Sequence, residues 1–157
     1  MDTTWRDDAG PHTRTLTRYT YDESGRLQSV ITDLTPDDRA ITDGKTYTVT
    51  YGYDSGGRVK TITDALGRVT TFVYDTTNRR TTVTDARGQA AVLGYDTANR
   101  LTSLGGAVTP LTLAYDGDGN ILTSTDGLNR QTLFAYDTQG NLTRARFGSA
   151  SEVRRQK

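Results

Sequence analysis

His12 is the only histidine among the 157 residues. A catalytic triad needs a base of that kind to activate its nucleophile, but His12 sits in the stretch AGPH, where a solvent-exposed or capping side chain is expected. Acidic residues are paired at Asp7-Asp8 and Asp37-Asp38. A two-carboxylate hydrolase needs acids facing each other across a cleft, whereas adjacent acids in a loop are solvated. Cysteine is absent, which removes disulfides and thiolate metal sites. The run Asp116-Gly117-Asp118-Gly119-Asn120 places oxygen donors at alternate positions, as at the start of a calcium loop. An EF-hand would continue with Gly at the sixth place and Glu at the twelfth; here those are Ile121 and Gly127. Asp116, Asp118 and Asn120 remain a weak calcium candidate in what is expected to be a turn. No catalytic residue and no cofactor is assigned.

The same turn-forming types recur along the chain, and their spacing is regular. Tyr-Asp pairs stand at Tyr21-Asp22, Tyr53-Asp54, Tyr74-Asp75, Tyr95-Asp96, Tyr115-Asp116 and Tyr136-Asp137, the last five spaced by 21, 21, 20 and 21 residues. A period of this size marks a repeat architecture. Between the pairs lie half-steps: Asp22, Asp33, Asp43 and Asp54 are spaced by 11, 10 and 11 residues, and Asp64 and Asp85 continue the beat. The longer first gap therefore holds one extra half-unit. Between Asp96 and Asp116 the middle aspartate is replaced by Gly105-Gly106.

Each Asp opens a segment of the form D-x-x-G. Asp accepts backbone N–H bonds two residues on, and Gly takes φ > 0. The Gly positions are Gly25, Gly57, Gly119 and Gly140; Asn78 and Asn99 stand in for it in two units. Arg26, Arg58, Arg79 and Arg100 follow, with Asn120 and Asn141 in the last two units. Six or seven residues remain between turns, enough for one short strand. The chain reads as a meander of hairpins.

Strand faces follow from alignment on the Tyr. Two positions before it stand Tyr19, Tyr51, Phe72, Leu93, Leu113 and Phe134; one position before it stand Thr20, Gly52, Val73, Gly94, Ala114 and Ala135. Side chains alternate along a strand, so one face carries a ladder of large residues and the other carries small ones. After the turn, Leu27, Val59, Leu101, Ile121 and Leu142 are aliphatic, with Arg80 as the exception. Val30, Ile62, Val83 and Leu104 come three positions later, followed by Ser124 and Ala145 in the last two units. That spacing puts the two sets on opposite faces of a regular strand, so either both faces are partly covered or a bulge shifts the register. The tyrosines could stack on sugars, but their recurrence in every unit favours packing along the sheet with the hydroxyls on polar partners.

Composition agrees. Apolar residues are 33% of the chain, low for a compact domain, and no window has a helical apolar pattern. With 19 basic and 19 acidic residues, no basic stripe points to nucleic acid. No membrane span or cleavable signal peptide is read in the sequence, so secretion would depend on another segment or system.

These motifs resemble the YD-repeat, or Rhs-repeat, family. The resemblance rests on the Tyr-Asp units, the TDxxG half-units and the 20–21 residue period, and covers about Arg18 to Phe147. It implies an all-β fold, a repetitive antiparallel hairpin meander that curls into a spiral sheet, closed into a hollow shell in large members. Such shells hold toxin domains in bacterial Rhs proteins. The C-terminal DPxG-type core motif of toxin-type members has no counterpart here. A dozen strands at about 4.8 Å spacing make a wall that is open rather than closed. The expected division is an irregular N-terminal segment or cap over 1–17, with Trp5 covering an edge, a repeat array over 18–147, and a disordered tail over 148–157. The expected role is a non-catalytic wall module of a secreted or cell-surface bacterial protein; a carbohydrate or cell-surface binding module is the alternative. Expected partners are the rest of an Rhs-type chain or its toxin cargo, with self-association through open edges and a glycan as further candidates.

Overall fold

The computed structural model describes residues 2–7, 10–15, 17–34 and 44–149. Expectations for the side chains of Trp5 and His12, for Asp37-Asp38 and for residues 150–157 lie outside what it describes. The chain forms two compact units, Met1–Phe72 and Val73–Lys157. The first holds β1 (Asp2–Asp7), β2 (Gly10–Thr15), β3 (Thr17–Tyr21), β4 (Leu27–Asp33), β5 (Thr46–Tyr53), β6 (Val59–Thr63) and the start of β7 (Val69–Asp75). The second holds the end of β7, β8 (Arg80–Thr84), β9 (Ala90–Tyr95), β10 (Leu101–Gly106), β11 (Leu111–Tyr115), β12 (Ile121–Asp126), β13 (Arg130–Tyr136) and β14 (Leu142–Ser149). No helix occurs among the described residues.

Strands β3 to β14 form one twelve-stranded open sheet in chain order, as a hairpin meander requires. The segment expected to be irregular or a cap contains a separate two-stranded sheet, β1 with β2, in which Asp7 faces Gly10. Asp7-Asp8-Ala9-Gly10 carries the same D-x-x-G form as the later turns. At the other end, β14 continues through Gly148 and Ser149, two residues past the expected end of the array, because their ladder with Gln131 and Arg130 of β13 is unbroken.

The register resolves the spacing of three. Tyr21 pairs with Leu27 and Thr20 with Ser29, so Gln28 is an extra residue on the return strand. The same shift leaves Lys60, Thr102, Leu122 and Thr143 unopposed in their hairpins. A bulge re-phases the side chains beyond it. Leu27 and Val30 therefore both reach the ladder face, opposite Tyr21 and Tyr19; Val59 and Ile62 do so opposite Tyr53 and Tyr51. Leu101 and Leu104 face Tyr95 and Leu93 in the same way.

The other face is small for a local reason. Gly52 lies opposite Thr61 and Gly94 opposite Ser103. A Cβ on either glycine would run into the hydroxyl of its partner. In the hairpin of β3 and β4 the same pair is Thr20 and Ser29, whose hydroxyls lie 2.6 Å apart. No hydrophobic side chain among the described residues is fully buried; only Ser29 and Asp33 are buried among the polar ones. A single sheet layer has no second layer to exclude water from its ladder face.

Where the half-unit aspartate is missing, Gly106 takes φ of +87°. The N–H of the next residue, Ala107, donates to Ala90 O at 2.7 Å. A Cβ at position 106 would collide with that same carbonyl oxygen, whereas one at Gly105 meets nothing. A side chain at such a positive φ costs about 1–2 kcal/mol before any clash. Gly106→Ala should therefore lower unfolding free energy by about 2 kcal/mol or more, measured by urea titration, while Gly105→Ala stays within about 0.5 kcal/mol. Equal effects at the two positions would contradict this account of the turn.

Candidate functional site

The turn of the fourth Tyr-Asp unit shows the construction of the repeat. Asp96 Oδ1 accepts the N–H of Ala98 at 2.8 Å and of Arg100 at 2.9 Å. Asp96 Oδ2 accepts Arg100 Nε at 2.7 Å. The main chain closes beneath it: Asp96 N–H donates to Arg100 O, and Asn99 N–H donates to Asp96 O. Asn99 takes φ of 61° to allow this. One carboxylate thus fixes two backbone donors and the side chain four residues on.

The same set recurs at Asp22 with Ser24 and Arg26, and at Asp54 with Gly56 and Arg58. At Asp116 and Asp137 the last donor is Asn120 Nδ2 and Asn141 Nδ2, at 3.0 and 2.9 Å. Gly25, Gly57, Gly119 and Gly140 all have positive φ, as their place in D-x-x-G demands. The half-units use the same chemistry at Asp64 with Arg68 and at Asp85 with Gln89.

Two details differ from the sequence expectation. Asn78 does not take the positive φ; Arg79 does, at 50°. In this turn Asp75 accepts Asn78 N–H at 3.0 Å and Asn78 Nδ2 at 2.6 Å. The carboxylate therefore grips the residue three positions on, and the left-handed position moves one residue later. Arg80, the exception to the aliphatic rule, pairs with Gly94 at the start of β8, directly after this altered turn. Asp126 is a further turn with Asn129 at φ of 60° and Arg130 closing it at 2.6 Å. Its signal, D-x-x-N-R in TDGLNR, was present in the sequence.

Sequence reasoning missed how consecutive hairpins are fastened together. Tyr53 Oη donates to Leu27 O at 2.6 Å, Tyr115 Oη to Leu101 O at 2.6 Å and Tyr136 Oη to Ile121 O at 3.0 Å. Each hydroxyl reaches the aliphatic residue that opens the preceding return strand. Arg26, held by Asp22, lies 4.5 Å from the centre of the Tyr53 ring. Arg100, held by Asp96, lies 4.6 Å from the Tyr115 ring and also donates to Asp116 O. Such stacking contributes about 0.5–1 kcal/mol at exposed sites. Asp, Arg and the next Tyr form one connected set.

This geometry bears on the other candidates. Both carboxylate oxygens of Asp116 are engaged within its own turn, and Asp118 is exposed. Among the described residues, no group of three or more His, Asp or Glu side chains is placed to hold a metal ion. Nor is any helix there long and apolar enough to cross a membrane.

Hydrogen bonding holds eight of the turn carboxyls below the ordinary aspartate range. The leading cause is the backbone N–H four residues on for Asp22, Asp54 and Asp96. For Asp64 and Asp126 it is the arginine side chain, and for Asp75, Asp116 and Asp137 the asparagine amide. A depressed folded pKa contributes stability that is fully present above the unfolded value, about 3.9, and is lost as pH falls through the folded value. The urea midpoint should therefore be level from pH 7 to about 5 and fall progressively below about 4. A midpoint at pH 2.5 equal to that at pH 7 would contradict the role given to these carboxylates.

Comparison with known proteins agrees with the repeat geometry. The Teneurin YD-shell family matches residues 9–154. The crystal structure of TcdB2-TccC3-TEV is similar with a TM-score of 0.59 and 13% identity, over 95% of this chain and 10% of that one. The crystal structure of TcdB2-TccC3 without hypervariable C-terminal region matches with a TM-score of 0.42 and 14% identity, over 92% of this chain and 11% of that one. The chain spans about a tenth of the length of these structures. Comparison with the curated proteins gives no match. The Tyr-Asp turns, the hairpin sheet and a family match along nearly the whole sequence lead to one assignment: this chain belongs to the Teneurin YD-shell family.

Proposed function

We propose that the array is a non-catalytic wall segment of a YD-repeat shell, set in a larger secreted or cell-surface bacterial protein, where it helps to enclose or present a toxin domain. In this proposal the Tyr, Asp, Gly or Asn, and Arg or Asn of each unit are repeat-defining residues rather than ligands. The observation that carries it is the open ladder face. Tyr, Phe, Leu, Val and Ile line one side of the sheet, yet no hydrophobic side chain among the described residues is fully buried. A layer of this kind is suited to a boundary: its turns and hairpin junctions fix the sheet from within, and its faces remain available to other parts of an assembly. The fold likeness to TcdB2-TccC3-TEV, of which this chain covers 10%, supports a place in something larger.

The test is electron cryomicroscopy of the protein tagged at its native locus and isolated without denaturation. The expected result is this sheet as one stretch of a longer wall, with polypeptide density enclosed on one side. A free array with solvent on both faces would overturn the proposal. So would binding of a defined glycan by the purified chain that Tyr19→Ala with Tyr51→Ala abolishes without loss of fold.

A further inference from the structure

Between β10 and β11 the chain turns back without an aspartate. In the turns at Asp64, Asp85 and Asp96, one carboxylate oxygen holds two backbone N–H groups: those of Leu66 and Arg68, of Arg87 and Gln89, and of Ala98 and Arg100. Two main-chain bonds close each of these turns as well. Over residues 107–110 the main chain donates one bond, from Ala107 N–H to Ala90 O. Val108 and Thr109 donate none to any of the described residues, and Pro110 has no N–H to donate. The ladder that follows is short, with Ser103 on Thr112 and Leu104 on Leu111.

Exposure alone does not set this loop apart. Residues 106–110 are all exposed, but so are Ala65, Ala86 and Ala98 in the aspartate turns. The difference lies in what must break before the backbone can extend. A protease binds its substrate in extended form, so cleavage follows the population of the opened segment. Opening the Asp96 turn breaks both carboxylate bonds to the backbone, the two main-chain bonds and the grip on Arg100. Opening residues 107–109 breaks the bond to Ala90. Exposed arginines are also tied down: Arg68 and Arg130, 65% and 70% exposed, sit 2.6 Å from Asp64 and Asp126.

We propose that this loop is a processing site, at which a protease with a pocket for small aliphatic side chains cuts after Ala107 or Val108 and leaves a two-chain array that stays assembled. The cut is a hydrolysis: water gives its hydroxyl to the carbonyl carbon and a proton to the leaving nitrogen, so one peptide bond becomes a carboxylate and an amine. Exposed tips of small residues are the usual sites of nicking, and Gly105 and Gly106 bring no side chain to obstruct the approach. Contacts that cross the cut hold the pieces together. Tyr115 Oη donates to Leu101 O, Arg100 stacks on the Tyr115 ring and donates to Asp116 O, and the ladder of Ser103 and Leu104 with Thr112 and Leu111 is left whole. The proposal rests on turn chemistry, independently of the shell assignment.

Limited proteolysis of the full chain with elastase, followed by mass spectrometry, tests it. Cleavage after Ala107 or Val108 should be at least about tenfold faster than after Ala65, Ala86 or Ala98, because opening those turns breaks several more hydrogen bonds. Asp96→Ala should raise cleavage after Ala98 by about tenfold. Trypsin separates opening from side-chain preference: Val108→Arg should be cut at position 108 at least about tenfold faster than after Arg68 or Arg130 of the same chain. On native size exclusion the elastase-cut chain should elute with the uncut one, and its pieces should part only in denaturant. Equal elastase cleavage after Ala98 and within the loop, no response of Ala98 to Asp96→Ala, or tryptic preference for Arg68 or Arg130 would overturn the site. Separate native elution of the pieces would overturn the two-chain form.

Discussion

One aspartate carboxylate bridging two backbone N–H groups and the side chain four residues on is the interaction from which the sheet is built. It turns the chain at fixed intervals, and the interval sets strand length. A one-residue error in a strand would send its side chains to the wrong face. The turn avoids that error by locking Asp96 to Ala98 and Arg100 before the return strand begins. The bulge at the next step then brings both Leu101 and Leu104 to the ladder.

From that turn the sheet grows by contacts between neighbours. The arginine held by one aspartate stacks on the tyrosine of the next hairpin, and that tyrosine binds the backbone behind the arginine. Such an array is stabilised by each unit and its junctions, as in other repeat proteins, rather than by one buried core. This explains how a chain with 33% apolar residues can have an ordered twelve-stranded sheet.

Much of this was legible in the sequence because turn chemistry is local. The positive φ at Gly25, Gly57, Gly119, Gly140 and Asn99 follows from D-x-x-G and its asparagine form. The exception, Arg79, depends on which backbone donor Asp75 grips, and two neighbouring asparagine-containing turns differ there without a clear difference in composition. The bulge was one of two alternatives left by the spacing of Leu27 and Val30, and pairing decided between them. Links between units, such as Arg100 on Tyr115, join residues 15 positions apart whose contact depends on register. The first hairpin, β1 with β2, was hidden because its strands lack an apolar alternation, although its Asp7-to-Gly10 turn form was visible.

Amide hydrogen exchange on Asp96→Ala tests the central claim most directly. If the carboxylate sets the hairpin, the amides of Ala98, Asn99 and Arg100 should exchange much faster in the variant, with protection falling along β9 and β10 while β13 and β14 keep theirs. Unchanged protection across residues 95–104 would show that the hairpin forms without its aspartate and would contradict the account.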